Sequence, residues 1–295
     1  MDQSDISAAL DFVRTHGRVL EWRRLSALVG GGSPEDVLDA LDAYRNPDGG
    51  YGWALEPDLR SVTSQPVAAM HALEVLADIP DATSSRPPQL CDWLADHTLP
   101  DGGIPFALAY TDALGSAPHW VIPDTTTSSL QMTAQLAAQG HRLARHRADV
   151  ADHPWLARAT SYCLEAVSRI VDAPPAYELM FALRFLDAAA ERVPQAQLLV
   201  ERLARYVVRD APTPVLGGAD GEVLHPLDFT AYAGTPLRAT FPRGAIAADL
   251  RCLAGEQRAD GGWAVTYASY SPAAALEWRG YATVQAVRLL RGDTL

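Results

Sequence analysis

The sequence has few cysteines, few basic residues and no long apolar run. Its three cysteines, Cys91, Cys163 and Cys252, lie far apart, which excludes a disulfide framework and a Cys-x-x-Cys metal clip. Lys and Arg number 24 against 36 Asp and Glu, for a net charge of −12. This acidic balance argues against a nucleic-acid partner and against anionic lipid surfaces. No apolar run reaches the ~18 residues that a membrane span requires.

The N-terminal segment MDQSDISAAL lacks a basic stretch followed by an apolar core, so we expect no signal peptide and a cytoplasmic protein. Apolar residues make up 48% and charged residues 20% of the 295 positions, which is typical of globular proteins. A chain of this length can bury a large core or enclose a deep cavity.

A short motif repeats along the chain. Asp-Gly-Gly begins at Asp48, Asp101 and Asp260, with intervals of 53 and 159 residues, and the second interval is three times the first. A repeat of about 50 residues predicts between five and six structural units. The segment Leu20–Arg23 also reappears as Leu276–Arg279, which is expected if the first and last units are neighbours in a closed ring.

Apolar spacing predicts two helices per unit and no sheet. Three segments, 66–78, 128–139 and 176–190, are apolar almost all round, which predicts buried helices, whereas 195–208 and 244–257 carry a charged face. Ser33 and Ser64 are candidate N-caps, and residues 211–243, with five prolines, are expected to be irregular. The predicted helices are 34–45, 66–78, 87–97, 128–139, 154–171, 176–190, 195–208, 244–257 and 278–291.

One copy of the repeat resembles a known motif. Gln257-Arg-Ala-Asp-Gly-Gly-Trp263 is similar to the Gln-Trp repeat of squalene–hopene cyclases and the terpenoid cyclase/prenyltransferase superfamily. Asn46–Trp53 and Pro100–Phe106 are similar but lack the leading Gln. In such a turn, Gly-Gly permits a left-handed backbone at a helix end and the next aromatic residue packs against the following unit. We therefore interpret Trp53 and Trp263 as packing residues.

The resemblance implies an all-α fold, in which residues 1–295 form a single α/α toroid of about six inner and six outer helices around an apolar cavity. In that fold, the loops before the inner helices meet at one mouth. The candidate catalytic residues are Asp124, Glu56, Asp58 and Glu178. The candidate substrate-binding residues are Trp22, Arg23, Arg60, His119, Trp120, Tyr177, Asp228, Trp278 and Arg279.

Each candidate has a structural alternative. The family's acid lies in Asp-x-Asp-Asp, and the similar stretch here, Pro123-Asp124-Thr-Thr-Thr127, keeps a single Asp, which is either a relocated acid or a helix cap. Glu56 and Asp58 flank a proline and either share a proton or charge a helix N-terminus. Glu178 opens a very apolar helix and is either an acid or an ion-pair partner. The arginines either bind an anion or pair with nearby glutamates.

The expected function is that of a terpenoid-cyclase-like protein that binds an isoprenoid or another apolar small molecule. The chain has no Asp-Asp-x-x-Asp motif, and its cysteines fall inside predicted outer helices, so we expect no metal and no cofactor. Acid-initiated cyclisation or isomerisation with an unusual acid is one reading. A binding protein without turnover and a carbohydrate-active α/α barrel are the alternatives, and the oligomeric state is not predicted.

Overall fold

The structure is a computed structural model that describes residues 3–79, 84–111 and 114–292. Helices dominate it. The helices are α1 (Gln3–His16), α2 (Val19–Leu28), α3 (Pro34–Asp42), α4 (Pro66–Asp78), α5 (Arg86–Asp96), α6 (Pro118–Val121), α7 (Leu130–Leu143), α8 (Ala148–Ala151), α9 (Pro154–Ser168), α10 (Ala176–Ala189), α11 (Pro194–Leu203), α12 (Pro226–Phe229), α13 (Pro236–Ala239), α14 (Arg243–Gly255) and α15 (Pro272–Gly292). None of these helices is long and apolar enough to cross a bilayer.

The nine predicted helices are all present; α4 has the predicted bounds, and the other eight have shifted ends. Within the described residues, six further helices were not predicted, namely α1, α2, α6, α8, α12 and α13. Helix α3 stops at Asp42 because the chain then turns, and Arg45 forms a bridge with Tyr51. Helix α11 ends at Leu203 and continues as a 3₁₀ turn, Ala204–Tyr206. The irregular segment contains a small antiparallel pair, β1 (Thr213–Pro214) with β2 (Val223–Leu224), which the sequence did not predict.

The chain divides into two compact units. The middle unit holds residues 43–207, and the terminal unit combines residues 1–42 with 208–295. The two are described separately below.

The middle unit has two layers of helices. Helices α4, α7 and α10 lie side by side, and α5, α9 and α11 pack against them. The first layer is apolar almost all round, and every α4 residue from Pro66 to Leu76 is buried. In the second layer, α9 buries one face. The predicted burial of segments 66–78, 128–139 and 176–190 is therefore confirmed.

The terminal unit brings the two ends of the chain together. Helix α15 packs against α1, α2 and α14. Their shared core includes Phe12, Leu25, Trp263 and Val287. The Gln257 side chain donates a hydrogen bond of 2.8 Å to the backbone carbonyl of Asp5. The first and last segments are thus neighbours, as the recurrence of Leu-Glu-Trp-Arg predicted.

The three Asp-Gly-Gly turns have one structure. In each turn the Asp carboxylate accepts the N–H of the second glycine, at 2.9 to 3.2 Å. The first glycine has a φ near 90° and faces a backbone carbonyl of a neighbouring helix, which leaves little or no room for a side chain. An aromatic residue one helical turn after that carbonyl covers the second glycine. The carbonyls belong to Gln89, Arg158 and Ala8, and the aromatic residues are Trp93, Tyr162 and Phe12.

The residue directly after the second glycine is the one that packs inward. Tyr51, Ile104 and Trp263 occupy this position and are 0%, 0% and 2% exposed. Trp263 also donates its indole N–H to the carbonyl of Leu253 at 2.7 Å, which confirms it as a packing residue. The prediction that Trp53 is a packing residue is wrong. Tyr51 takes the equivalent position, and Trp53 remains 53% exposed.

One predicted cap is confirmed and one is wrong. Ser33 accepts the N–H of Asp36 at the start of α3. Ser64 does not cap α4, because its hydroxyl donates to Asp48 at 2.8 Å in the first Asp-Gly-Gly turn. The residue before α4 is Gln65, which makes no capping hydrogen bond.

Candidate functional site

The starts of α4 and α7 lie at the same end of the middle unit. The Gln65 amide accepts the N–H of Leu108 at 2.9 Å and donates to its carbonyl at 3.2 Å. The loop that contains Leu108 also reaches the start of α7. There Ser129 donates its backbone N–H to the carbonyl of Ile104 at 2.8 Å. Loops that precede these two buried helices therefore meet.

The start of α10 belongs to the same region. Burial is the largest cause that raises the pKa of Tyr162 to about 12. The charges of Asp101 and Glu178 act on the same phenol and raise its pKa further. Asp101 in turn accepts the hydroxyl of Ser128, just before α7, at 2.6 Å. The predicted meeting of pre-helix loops thus holds for α4 and α7, and Glu178 at the start of α10 lies close enough to Tyr162 to act on its phenol.

A buried acid–base pair lies at this end. His71 Nε2 in α4 is 2.8 Å from Glu56 Oε2 in the preceding loop, and the two residues are only 6% and 5% exposed. The two side chains are therefore joined by a hydrogen bond that is shielded from water. The second oxygen of Glu56 accepts the N–H of Asp58 at 3.3 Å. Asp58 is also 5% exposed, so two carboxyl groups and an imidazole are enclosed together.

The loop that carries Glu56 is strained. Trp53 and Ala54 have φ values of 56° and 58°, and no other non-glycine residue in the described ranges has a positive φ. Each left-handed residue costs about 1 kcal/mol, and this cost persists only where the surroundings enforce it. Here the Ala54 N–H donates to Ser61 and the Leu55 N–H donates to Gly52, which closes the loop around Glu56.

A second loop docks on the first. The Asp58 carbonyl accepts the N–H of Ala117 at 2.8 Å, and Ser116 accepts the N–H of Arg60 at 3.0 Å. These bonds hold the short helix α6, with His119 and Trp120, beside the carboxyl groups. Partial burial lowers the pKa of His119, although the charges of Glu56 and Asp58 act in the opposite direction. His119 is therefore a neutral imidazole at neutral pH.

Aromatic rings accompany these polar groups. Trp120 is 5% exposed and stacks on Phe106, with 4.7 Å between ring centroids. His119 lies 4.8 Å from Trp120 and 6.5 Å from Phe106. Phe106 and His71 were not among the predicted site residues. His71 gave a weak signal, as an imidazole within an otherwise very apolar helix.

Glu178 is a half-buried carboxyl group at the start of a buried helix. It lies in the first turn of α10, is half-buried, and has no hydrogen-bond or salt-bridge partner within the described residues. Burial raises its pKa. Its neighbour Tyr177 stacks against Phe181 with 6.4 Å between centroids.

Asp124 has the opposite properties. Its exposed carboxylate accepts hydrogen bonds from Thr127 and Thr126, which lower its pKa to about 2. It is ionised at neutral pH, so it carries no proton that it could donate to a substrate. It does not cap α7 either, because Ser129 accepts the N–H of Met132 in that role.

The remaining predicted residues have structural partners. Arg60 donates to the Pro57 carbonyl at 3.4 Å in the middle unit. In the terminal unit, Arg23 lies over Trp22 and pairs with Asp36 at 3.5 Å, not with Glu21 as expected.

Arg279 pairs with Asp260 at 2.8 Å and lies 4.3 Å above the Phe12 ring, so it secures the third Asp-Gly-Gly turn. Trp278 is nearly buried, with its ring edge-on to Tyr267 and Tyr281. Asp228 accepts the N–H of His225 in a capping box.

No group of three or more His, Cys, Asp and Glu within residues 3–79, 84–111 and 114–292 is arranged to hold a metal ion.

Comparison with known proteins identifies a shared fold. No protein-family model matches the chain, and no curated protein matches it. A solved structure described as the crystal structure of a protein from Actinoplanes superposes with a TM-score of 0.59, covering 99% of each chain at 16% identity. At this identity the likeness concerns the fold alone, which is predominantly helical.

Proposed function

We propose that the chain is a terpenoid-cyclase-like α/α toroid that binds a neutral, apolar small molecule where the Glu56–His71 pair adjoins the aromatic rings of α6. The observation that carries the proposal is this buried pair, with Asp58 beside it. The Gln257–Trp263 motif and the shared geometry of the three Asp-Gly-Gly turns support the family resemblance. Two enclosed carboxyl groups disfavour an anionic ligand by electrostatic repulsion.

The proposed chemistry is proton transfer to and from carbon. A carboxylic acid adds its proton to a carbon–carbon double bond, the resulting cation is stabilised by aromatic faces, and loss of a proton from a neighbouring carbon gives a cyclised or isomerised alkene. The substrate gains one proton and loses one proton, so the product is an isomer of the substrate. The reaction therefore consumes no oxidant. Glu178 is the proposed acid, since burial favours its protonated form. The Glu56–His71 pair is the proposed base, with Trp120 and Phe106 beside the cation.

A product assay tests this function. The protein is incubated with farnesyl diphosphate, geranylgeranyl diphosphate and squalene, with and without magnesium, and extracts are examined by gas chromatography–mass spectrometry. We expect a new hydrocarbon from squalene, the neutral substrate, that Glu178→Gln and Glu56→Gln abolish, and no product from the two anionic diphosphates. Asp124→Asn and Glu165→Gln change exposed carboxylates and are the matched controls. Turnover that survives both Glu178→Gln and Glu56→Gln contradicts the proposed roles.

A binding protein without turnover is the second candidate. Asp124 favours this candidate. It lies in the segment that resembles the family's acidic motif, yet its carboxylate is exposed and has a pKa of about 2, so it does not serve as an acid. Recovery of a chemically unchanged apolar ligand from the purified protein, with no product from any of the three substrates, would select this candidate over the enzyme.

A further inference from the structure

Trp53 is a large apolar side chain that the fold leaves in solvent. Its residue is 53% exposed, and it lies three residues before Glu56 on the same closed loop. Exposing so much indole surface forgoes the favourable burial that a tryptophan usually contributes. Packing does not account for Trp53, because Tyr51 occupies the position that Ile104 and Trp263 take in the other two turns.

The indole ring is held in place. Its Nε1–H donates to Asn46 Oδ1 at 2.8 Å, and the Asn46 amide donates to the Val62 carbonyl and the Ser64 hydroxyl, each at 3.0 Å. Val62 is itself 54% exposed. Since the indole N–H already donates to Asn46, the apolar ring surface is what Trp53 has left to offer a ligand.

The backbone that carries the ring is left-handed at two consecutive residues. Trp53 and Ala54 stay left-handed, and the preceding residue is confined as well, because a Cβ at Gly52 would come within 2.3 Å of the Thr63 carbonyl. Backbone strain of this kind costs stability and is concentrated at ligand-binding and catalytic positions. A hydrogen-bonded, exposed aromatic residue on the strained loop that carries Glu56 is therefore a candidate contact for the ligand.

We infer that Trp53 is the aromatic platform of this site, on which the flat or apolar part of a neutral small molecule stacks while its reactive part lies towards Glu56. This inference rests on the proposed function for the position of the ligand. It adds a specificity residue that neither the repeat nor the family resemblance provides. An anionic ligand is disfavoured here too, because the carboxyl groups of Glu56 and Asp58 lie on the same loop.

Direct binding measurements on the full chain test the inference. The probes are farnesol, farnesyl diphosphate and N-phenyl-1-naphthylamine, a neutral aromatic dye whose emission rises on binding. The variants are Trp53→Ala, Trp53→Phe, which keeps a stacking face, and Tyr270→Ala, which removes an exposed aromatic residue in the terminal unit. Thermal unfolding verifies that each variant is folded, which is expected because both side chains are exposed.

We expect Trp53→Ala to weaken the binding of farnesol and of the dye by about 3- to 10-fold, as the loss of one aromatic contact predicts. Trp53→Phe should retain most of the affinity and Tyr270→Ala all of it. Farnesol should bind more tightly than farnesyl diphosphate.

The outcomes separate the two proposals. Dye binding that depends on Trp53, without farnesol binding, supports the platform and contradicts an isoprenoid ligand. Farnesol binding that is unchanged in Trp53→Ala supports the isoprenoid and overturns the platform. Failure of every probe to bind the unmodified protein overturns both. A dimer that Trp53→Ala dissociates, with ligand affinity unchanged, assigns the exposed ring to a second copy of the chain and overturns the inference.

Discussion

Glu56 and His71 are separated by fifteen positions in the sequence, yet their side chains meet at 2.8 Å in the interior. Removing one partner leaves the other buried and unsatisfied, so His71→Leu should lower the free energy of unfolding by about 3 kcal/mol. The double variant Glu56→Leu/His71→Leu should lose less than the sum of the single changes, with a coupling of about 1 to 3 kcal/mol. Urea denaturation of the four proteins measures this.

The control cycle uses Glu165 and Arg169, an exposed pair one helical turn apart in sequence. Its coupling should be close to zero, because water screens the charges. Equal coupling energies in the two cycles would contradict the claim that burial strengthens the interaction between Glu56 and His71.

Gly261 is the most confined of the three left-handed glycines in the Asp-Gly-Gly turns, since a Cβ there would come within 2.1 Å of the Ala8 carbonyl. Gly261→Ala should therefore destabilise the protein by about 3 kcal/mol, from backbone strain and from separation of the turn from α1. The matched change is Gly255→Ala, in a helix with nothing within 4 Å of the added methyl group. It should be neutral or stabilise by about 0.5 kcal/mol. Equal effects in thermal unfolding would contradict the docking of the turn on α1.

Ala54 has a left-handed backbone that glycine adopts without steric cost. Ala54→Gly should raise the stability by about 0.5 kcal/mol, because relief of strain slightly exceeds the greater entropy of the unfolded chain. Ala247→Gly, at an exposed position of helix α14, should instead cost about 1 kcal/mol. Chemical denaturation gives both values, and a loss of stability in Ala54→Gly would show that the loop is not strained. We also expect ligand affinity to fall in Ala54→Gly, because the loop becomes less rigid.

Glu178 and Asp124 should affect stability with opposite dependence on pH. The raised pKa of Glu178 means that the folded state keeps its proton longer than the unfolded chain does. Glu178 therefore becomes destabilising as the pH rises from its ordinary pKa of 4.5 through its folded value, and Glu178→Gln removes this loss.

The pKa of Asp124 is lowered from 3.8 to about 2, so its stabilising contribution is present above 3.8 and is lost as the pH falls towards 2. Stability curves of Glu178→Gln and Asp124→Asn between pH 2.5 and 8, each subtracted from that of the unmodified protein, test the two signs. A difference for Glu178→Gln that does not change with pH would contradict the assignment of a raised pKa.

Much of the helical framework could be predicted from the sequence, because it depends on local chemistry. Proline stands at the start of α4, α9, α11 and α15, where its missing N–H and fixed φ suit a first helical turn. The apolar composition of 66–78 required burial on all sides. The repeated Asp-Gly-Gly predicted three similar turns, because few other sequences permit a left-handed residue at a helix end.

The candidate site was predicted in part. Glu56, Asp58, His119 and Trp120 were singled out as residues of loops before buried helices, and the structure brings them together. His71 was not predicted as a site residue, because its role depends on Glu56, which lies fifteen positions earlier in the loop before α4. Trp53 was given the wrong role, since only the structure shows that Tyr51 fills the packing position.

The sequence by itself determined most of the long helices, which of them are buried, and where the Asp-Gly-Gly turns lie, because these follow from apolar spacing, proline and glycine. It did not predict the helices α1 and α2. Only the tertiary structure decided the state of each acid. The pKa of Asp124 is lowered because nearby threonines donate hydrogen bonds to it, and the pKa of Glu178 is raised because packing removes water from it. Glu56 is hydrogen-bonded to His71 because the strained loop folds inward. Protonation depends on three-dimensional surroundings, and residue type alone does not fix them.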